Sequence, residues 1–478
     1  MTDPVILWLR EDLRFDDNPA MREAAASGAP VLCLYVLDDA TAGDFAMGAA
    51  QRWWLHHSLC AFKEDLETRG GALILRRGKE TEIVPALAKE IKASHVFWNR
   101  RYMKWQTDPD TEIKSALQDM GIKGISCNGR LLYEPWEIET KSGDPYKVYT
   151  PYWKSLQQKE GPRAALPRTD KLNAPPSLPS TDRLDDWNLL PRSPNWAEGF
   201  EPVWTPGEKG ARARLRAWLD TDAASYDDCR NRPDQDRTSR LSPHLHFGEI
   251  SPVVLWHSVS DAMEAGDIPK DQGTSFLSEI AWREFSYQLL YYHPTMRDQP
   301  LMEKFTDFEW DTDKKALNAW QRGRTGYPIV DAGMRQLWTE GWMHNRVRMI
   351  VGSFLVKDLL LDWRDGMRWF WDCLVDADPA NNTASWQWIA GCGADAAPFF
   401  RIFNPTTQSE KFDPDGAYIR RYVPELRDLP TRFIHEPRKA STAILKDAGI
   451  VLGETYPDPI VDHSDRRKQA LSRYEAIK

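Results

Sequence analysis

The chain predicts two unlike halves: an N-terminal α/β domain of nucleotide-binding type on a parallel sheet, and a C-terminal all-helical domain. Three observations carry this. Over the first ~140 residues short apolar runs alternate with amphipathic stretches, the signature of strand–helix–strand units. Nine of the 33 prolines fall between residues 162 and 206, which reads as a long extended connector. From residue 211 onward apolar positions recur at helical spacing. The expected boundaries are 1–135, 136–206 and 207–478.

Each element follows from local pattern. Val5-Ile-Leu-Trp-Leu9 is a continuous apolar run, as a strand buried on both faces requires. Residues 30–36, 72–75 and 95–98 repeat it, and 125–127 form a short fifth strand. Residues 50–66 and 80–91 carry helical patterns between them. In the second half, helices are expected over 211–219, 252–264, 275–292, 328–339, 343–361 and 366–375. Ser242-Pro243 and Ser251-Pro252 each read as an N-cap followed by proline at the first helical position.

Composition narrows the function. With 41% hydrophobic and 28% charged residues, the chain is an ordinary globular protein rather than a disordered one. No apolar run reaches about 18 residues, so no membrane span is expected. The opening Met1-Thr-Asp-Pro4 lacks a basic leader, so no secretory signal is expected. Six scattered cysteines without a C-x-x-C fit a reducing cytoplasm. The net charge of −9 excludes a general polycation but not one basic groove. No G-x-G-x-x-G follows the first strand and no Walker loop is present, which removes the main support for a dehydrogenase. His56-His57 and His244-x-His246 lack fitting partner ligands, so no metal is expected. The 22 tryptophans are the anomaly. Most are expected in the core, and some as an aromatic platform or redox chain.

Three stretches carry chemistry. Thr238-Ser-Arg-Leu-Ser-Pro-His244 puts three hydroxyls and an arginine just before a helix start, either as a capping segment with no ligand or, since orphan N–H groups favour an anion, as a pyrophosphate cradle. Phe276-Leu-Ser-Glu-Ile-Ala-Trp-Arg-Glu-Phe285 puts Glu279, Trp282 and Arg283 on one helix face, either as a cavity wall or as a solvated Glu–Arg pair. Gly341-Trp-Met-His-Asn-Arg-Val-Arg-Met349 does the same for Asn345, Arg348 and Met349. A buried Arg348 needs a carboxylate, for which Asp376 and Asp378 are the candidates.

With Trp8-Leu-Arg-Glu-Asp-Leu-Arg14, Gly326-Tyr-Pro-Ile-Val-Asp-Ala332, the stretch from Asp376 to Trp388, and Arg401-Ile-Phe-Asn-Pro405, these segments resemble the photolyase/cryptochrome family along nearly the whole chain. The resemblance is to cyclobutane pyrimidine dimer photolyases, of the class III branch close to plant cryptochromes. It implies FAD, active as FADH−, folded into a U within the helical domain. Tyr226, Thr238, Ser239, Leu241 and Ser242 then hold its phosphates and ribityl chain. Arg283 joins this cofactor set. Arg348, paired with Asp376, lies against the ring, Asp378 meets the pyrimidine edge, and Asn381 faces N5. An amide at this last position suits a repair enzyme, whereas plant cryptochromes carry an acid.

The resemblance also implies a lesion pocket of Glu279, Trp282, Asn345, Met349 and Trp388. Glu279 hydrogen-bonds the thymine carbonyls as charge develops. Trp282 and Trp388 wall a flipped base pair. Excited FADH− gives an electron to the dimer, which splits and returns it. Trp386, Trp363 and Trp310 match the photoreduction triad, and further tryptophans leave room for a second branch. Arg230 and Arg346 are the leading contacts for damaged duplex DNA, with Arg232, Arg237, Arg401 and Arg421 behind them. Class I relatives hold a folate antenna at an Asn-Glu pair that Trp105 and Gln106 replace here. A differently held 5,10-methenyltetrahydrofolate is therefore expected, ahead of a deazaflavin. The protein is expected to be a cytoplasmic monomer and an enzyme. The alternative is a cryptochrome-type blue-light photoreceptor that signals through a protein partner.

Overall fold

In a computed structural model of the chain, residues 3–395 and 401–478 are described. Met1 and Thr2 of the opening segment lie outside them. Five parallel strands, β1 (Val5–Leu9), β2 (Val31–Leu37), β3 (Leu73–Arg77), β4 (His95–Asn99) and β5 (Lys123–Cys127), form one sheet in the order β3-β2-β1-β4-β5. Central β1 is buried throughout, and its register sets Val5 beside Val31 and His95. Helices α1 (Pro19–Ala26), α2 (Ala49–Thr68), α3 (Glu80–Glu90) and α4 (Lys104–Asp119) connect the strands. The predicted sheet is therefore present. β3 and β5 run two residues beyond the expected runs because both are edge strands, where Arg77 and Lys123 lie in solvent without loss of pairing.

The connector is mostly extended but is not a bare overlay. It contains helix α5 (Tyr149–Gln157), which lies ahead of the proline-rich stretch and carries Pro151 within it. It is also sewn into the first domain. Val31 N–H donates to Asn173 O, and Leu172 and Trp187 are buried.

The remainder is helical: α6 (Glu208–Thr221), α7 (Tyr226–Cys229), α8 (Ser242–His246), α9 (Pro252–Ala265), α10 (Lys270–Tyr292), α11 (Lys314–Gln321), α12 (Pro328–Glu340), α13 (Asn345–Ser353), α14 (Trp363–Cys373), α15 (Pro379–Ala390), α16 (Pro405–Phe412), α17 (Ala417–Tyr422), α18 (Thr431–Ile434), α19 (Thr442–Asp447) and α20 (His463–Ala476). The continuous helix expected over 343–361 is not formed. His344 caps α13 by accepting from Arg346 N–H, and a π turn at Phe354–Asp358 ends the run before Leu360, at φ +55°. Such turns interrupt helices without changing the apolar pattern, so spacing alone does not reveal them. Ser251 caps α9 as expected, accepting from Val253 N–H. Ser242 does not cap α8; its hydroxyl is used elsewhere.

The domains are joined by buried polar contacts. Trp54 Nε1 donates to Glu249 Oε1 at 3.0 Å, and Arg14 spends its guanidinium on the carbonyls of Asp17, Gly129 and Gly248. Trp8, Trp54, Trp98, Trp218, Trp320 and Trp363 are fully buried, so packing does account for many of the tryptophans.

Candidate functional site

A cavity of about 770 Å³ opens in the helical domain between α7, α8, α10, α13 and α15. It brings together the predicted site residues except Thr238, Trp363, Trp310, Trp105, Gln106 and the secondary DNA-contact candidates Arg232, Arg237 and Arg421. The physical basis is the packing of α10 against α15 and α7, and of α13 against α15. Faces that i, i+3, i+4 spacing aligns on separate helices thus meet across one space.

Its polar floor is an ordered network. Arg348 Nη2 donates to both oxygens of Asp376, at 3.1 and 2.8 Å. Ser242 Oγ donates to Asp376 Oδ2 at 2.6 Å and accepts from Trp342 Nε1. That is why Ser242 does not cap its own helix. The two candidate carboxylates are thereby separated. Asp376 takes Arg348, while Asp378 caps α15 and accepts from Tyr287 Oη at 2.5 Å and from Arg130 at 3.4 Å. Burial alone would raise the Asp378 carboxyl, but His246, Arg130 and Arg283 hold it far below the ordinary range. Asn381 Nδ2 donates to Asp378 Oδ1, which leaves its amide oxygen as the group to offer a ligand. Trp386 reaches the cavity because residue 366 is glycine: a Cβ there would meet its ring at 2.1 Å.

The lining also carries Glu279, Trp282, Asn345, Met349 and Trp388. Trp282 is fixed by Tyr149, stacked at 3.6 Å between ring centroids and 10° between planes. The Glu279–Arg283 pairing that the spacing allows is not made. Glu279 pairs with Arg230 at 2.5 Å, and Arg283 turns to Glu284 and Arg130 O. Arg230 is therefore part of the wall rather than a free surface charge. Arg346 lies over Phe412 at 4.4 Å and donates to Asn231, and it lines the cavity with Arg230 and Arg401. Burial and the positive charges of Arg230 and Arg401 depress the Arg346 pKa. Crowded cations of this kind are relieved by an anion. Arg232, Arg237 and Arg421 lie outside the cavity, each held by its own carboxylate (Asp234, Asp222 and Glu340).

Other predicted residues lie apart. Thr238 is held near the cavity by Arg214, which donates to the carbonyls of Thr238 and Ser239. Trp363 begins α14 and Trp310 packs on Phe308. Trp105 stacks on Phe45, and Gln106 is buried. The segment from Gly326 to Ala332 serves the core: Asp331 accepts from Thr325, Gly326 N–H and Tyr456 Oη. Spacing also missed Arg130, His246, Tyr287 and Tyr149, which reach the site from distant segments or from beneath it. Among the described residues, no group of three or more His, Cys, Asp or Glu is placed to hold a metal ion. Among the same residues, no helix is long and apolar enough to cross a membrane.

The cavity fits FAD on its own evidence. Its volume suits a large cofactor. His246 Nδ1 and Arg283 Nη2 are buried on its lining and make no hydrogen bond to protein. Buried polar atoms of this kind call for a partner.

A parallel α/β domain and a helical domain with such a cavity define a two-domain protein built to hold a large ligand. Comparison narrows the class. The DNA photolyase family profile matches residues 5–172, and the profile for the FAD binding domain of DNA photolyase matches 276–476. The chain is 49% identical to a deoxyribodipyrimidine photo-lyase of Agrobacterium fabrum, covering 100% of this chain and 98% of the relative. It is 38% identical to cryptochrome-1 of Arabidopsis thaliana, covering 98% and 70%. The crystal structure of a bacterial class III photolyase from Agrobacterium tumefaciens superposes with a TM-score of 0.96 at 49% identity, covering 100% and 98%. The chain belongs to the DNA photolyase/cryptochrome family and binds FAD.

Proposed function

We propose that the protein repairs cyclobutane pyrimidine dimers in ultraviolet-damaged duplex DNA, driven by light. One observation carries the reading: the Glu279, Trp282, Asn345, Met349 and Trp388 wall shares a cavity with the Arg348–Asp376, Asp378 and Asn381 network. A lesion and a flavin placed there are neighbours. Bound and reduced, FAD supplies the light-excited electron that splits the cyclobutane ring and then returns.

The chain's own residues do the rest. Tyr226, Thr238, Ser239, Leu241 and Ser242 receive the phosphates and ribityl chain. Arg283 Nη2 and His246 Nδ1, neither of them hydrogen-bonded to protein, would be offered to the cofactor. Arg348, neutralised by Asp376, would hold the flavin ring, and Asn381, its amide nitrogen bound to Asp378, would offer its amide oxygen to it. An amide is not an acid at neutral pH, so Asn381 would bind and orient the cofactor there rather than protonate it. Glu279 hydrogen-bonds the pyrimidine carbonyls, and its partner Arg230 orients it. Trp282 and Trp388 clasp the flipped, unstacked bases. Arg230, Arg346 and Arg401 attract backbone phosphate. Trp386, Trp363 and Trp310 restore reduced flavin from its oxidised form.

The antenna is 5,10-methenyltetrahydrofolate. Its support is the aromatic cluster in which Trp105 stacks on Phe45, with Trp371 at its edge and Arg297 over its face. We take the domain boundaries as 1–135, 136–206 and 207–478, and the working unit as a monomer. Blue-light repair of a dimer-bearing oligonucleotide tests the reading, with Glu279→Ala as the inactive control.

A further inference from the structure

We propose that Arg466, seconded by Arg473, is a positioning residue for light-driven flavin reduction: it fixes the segment bearing Trp310 against the segment that leads into Trp363. The inference rests on reading Trp386, Trp363 and Trp310 as an electron path.

Trp310 is half-buried in an extended stretch between Glu309 and Asp311. Trp363 is the buried first residue of α14. The two segments meet in an isolated parallel bridge between Asp311 and Leu361, with Asp311 N–H donating to Leu360 O at 2.7 Å. Such a bridge is a weak ruler.

Arg466 on α20 reinforces it. Its Nε donates to Asp358 O at 2.6 Å, and its Nη2 donates to Leu359 O at 2.8 Å and to Asp311 Oδ2 at 2.9 Å. One rigid planar guanidinium thus spans both segments, which a lysine cannot do. Arg473, two turns on, donates to Asp311 Oδ1 and to Glu309 O, both at 2.7 Å. Positions 466, 470 and 473 share one face, and Ala470 between the arginines is fully buried. Burial alone would raise the Asp311 carboxyl, yet hydrogen bonds from Arg473 and Arg466 keep it below its usual value. Anchoring α20 alone does not require both arginines to converge on the residues that flank a tryptophan.

The electron count closes. Each electron that Trp386 gives up is replaced from Trp363, and that one from Trp310. A thiol reductant in solution refills Trp310; two thiols give one disulfide, two electrons and two protons, of which one is taken up in forming FADH− and one is left in water. Exchange between rings falls steeply with separation, so a loosened bracket slows this path and leaves dimer splitting alone.

The test uses FAD-bound Arg466→Met, which keeps the apolar stem, beside wild type and Trp363→Phe. Three quantities are read: blue-light flavin reduction with dithiothreitol, light-driven repair after chemical reduction, and dark hydrogen exchange at the Asp311 amide. Arg466→Met is expected to slow photoreduction on the order of tenfold, the scale of small misplacements in positioned reactions. Repair should stay at the wild-type rate and the Asp311 amide should exchange faster. Arg466→Lys should recover only part of the rate. Wild-type photoreduction in Arg466→Met, with Trp363→Phe defective, overturns the inference. Wild-type photoreduction in Trp363→Phe overturns the electron-path reading instead, and the inference with it. Should Arg466→Met not retain FAD, Asp311→Asn carries the same expectation and the same contrary result.

Discussion

Asp376 and Asp378 lie two residues apart yet do different work, and the difference is set entirely by what reaches them. Asp376 neutralises Arg348 on the cavity lining. Removing one member of a buried pair leaves the other charge uncompensated. Because Arg348 is partly exposed, Asp376→Asn is expected to weaken FAD retention by about 2 kcal/mol rather than the full buried value. Release of FAD fluorescence on titration measures this. Glu279 faces the lesion side, so Glu279→Gln should hold FAD normally while light-driven repair falls by about tenfold, below the loss seen for a fully enclosed donor. Flavin content and repair rate measured on one preparation separate the two effects. The i, i+3, i+4 spacing exposed Glu279, Trp282 and Arg283, and likewise Asn345, Arg348 and Met349, because neighbours on one face are a property of the local helix. It could not expose Arg230 as the partner of Glu279, nor Arg130, Tyr287 and His246 around Asp378. Those contacts cross between elements, and one sequence carries no record of them.

At the scale of elements, α10 joins the site to the end of the first domain. Its Glu284, adjacent to Arg283, is buried and accepts from the N–H groups of Leu132 and Tyr133. Burial raises its carboxyl to about 7, against the opposing effects of Arg283 and those two N–H groups. The folded state therefore keeps this proton from pH 4.5 to about 7, where the unfolded chain has lost it. The Glu284 contribution to stability is complete below pH 4.5 and declines as pH rises through that window. Its slope is at most about 1.4 kcal/mol per pH unit. Glu284→Gln should remove this slope, as denaturant unfolding at several pH values would show; an unchanged slope would place the proton elsewhere. The existence of most elements was legible because strands and helices announce themselves by apolar runs and periodicity. Their interruptions were not. The π turn at Phe354–Asp358 and the His344 cap leave the apolar spacing of 343–361 intact. Helix α5 carries Pro151 within it, and a proline argues against a helix.

Across the whole molecule, a net charge of −9 coexists with a cationic cavity rim of Arg230, Arg346 and Arg401. Attraction to DNA is thus local, and the rest of the surface repels it. Binding to a dimer-bearing duplex should weaken steeply with salt, and Arg346→Ala should reduce the slope of log K against log salt by about 0.9. An unchanged slope would remove Arg346 from the phosphate contacts. The two-domain plan was legible because composition changes along the chain: apolar runs, then prolines, then helical periodicity. The way the connector is sewn into the first sheet was not, since Leu172 and Trp187 look like loop residues until their burial is seen. The most direct test of the account is blue-light repair of a duplex carrying one thymine cyclobutane dimer, by protein holding reduced FAD, with a dark control. Recovery of thymine absorbance in the light alone is the predicted result. Absence of recovery, in protein shown to hold reduced FAD and to bind the duplex, would contradict it and favour a photoreceptor that signals to a protein partner.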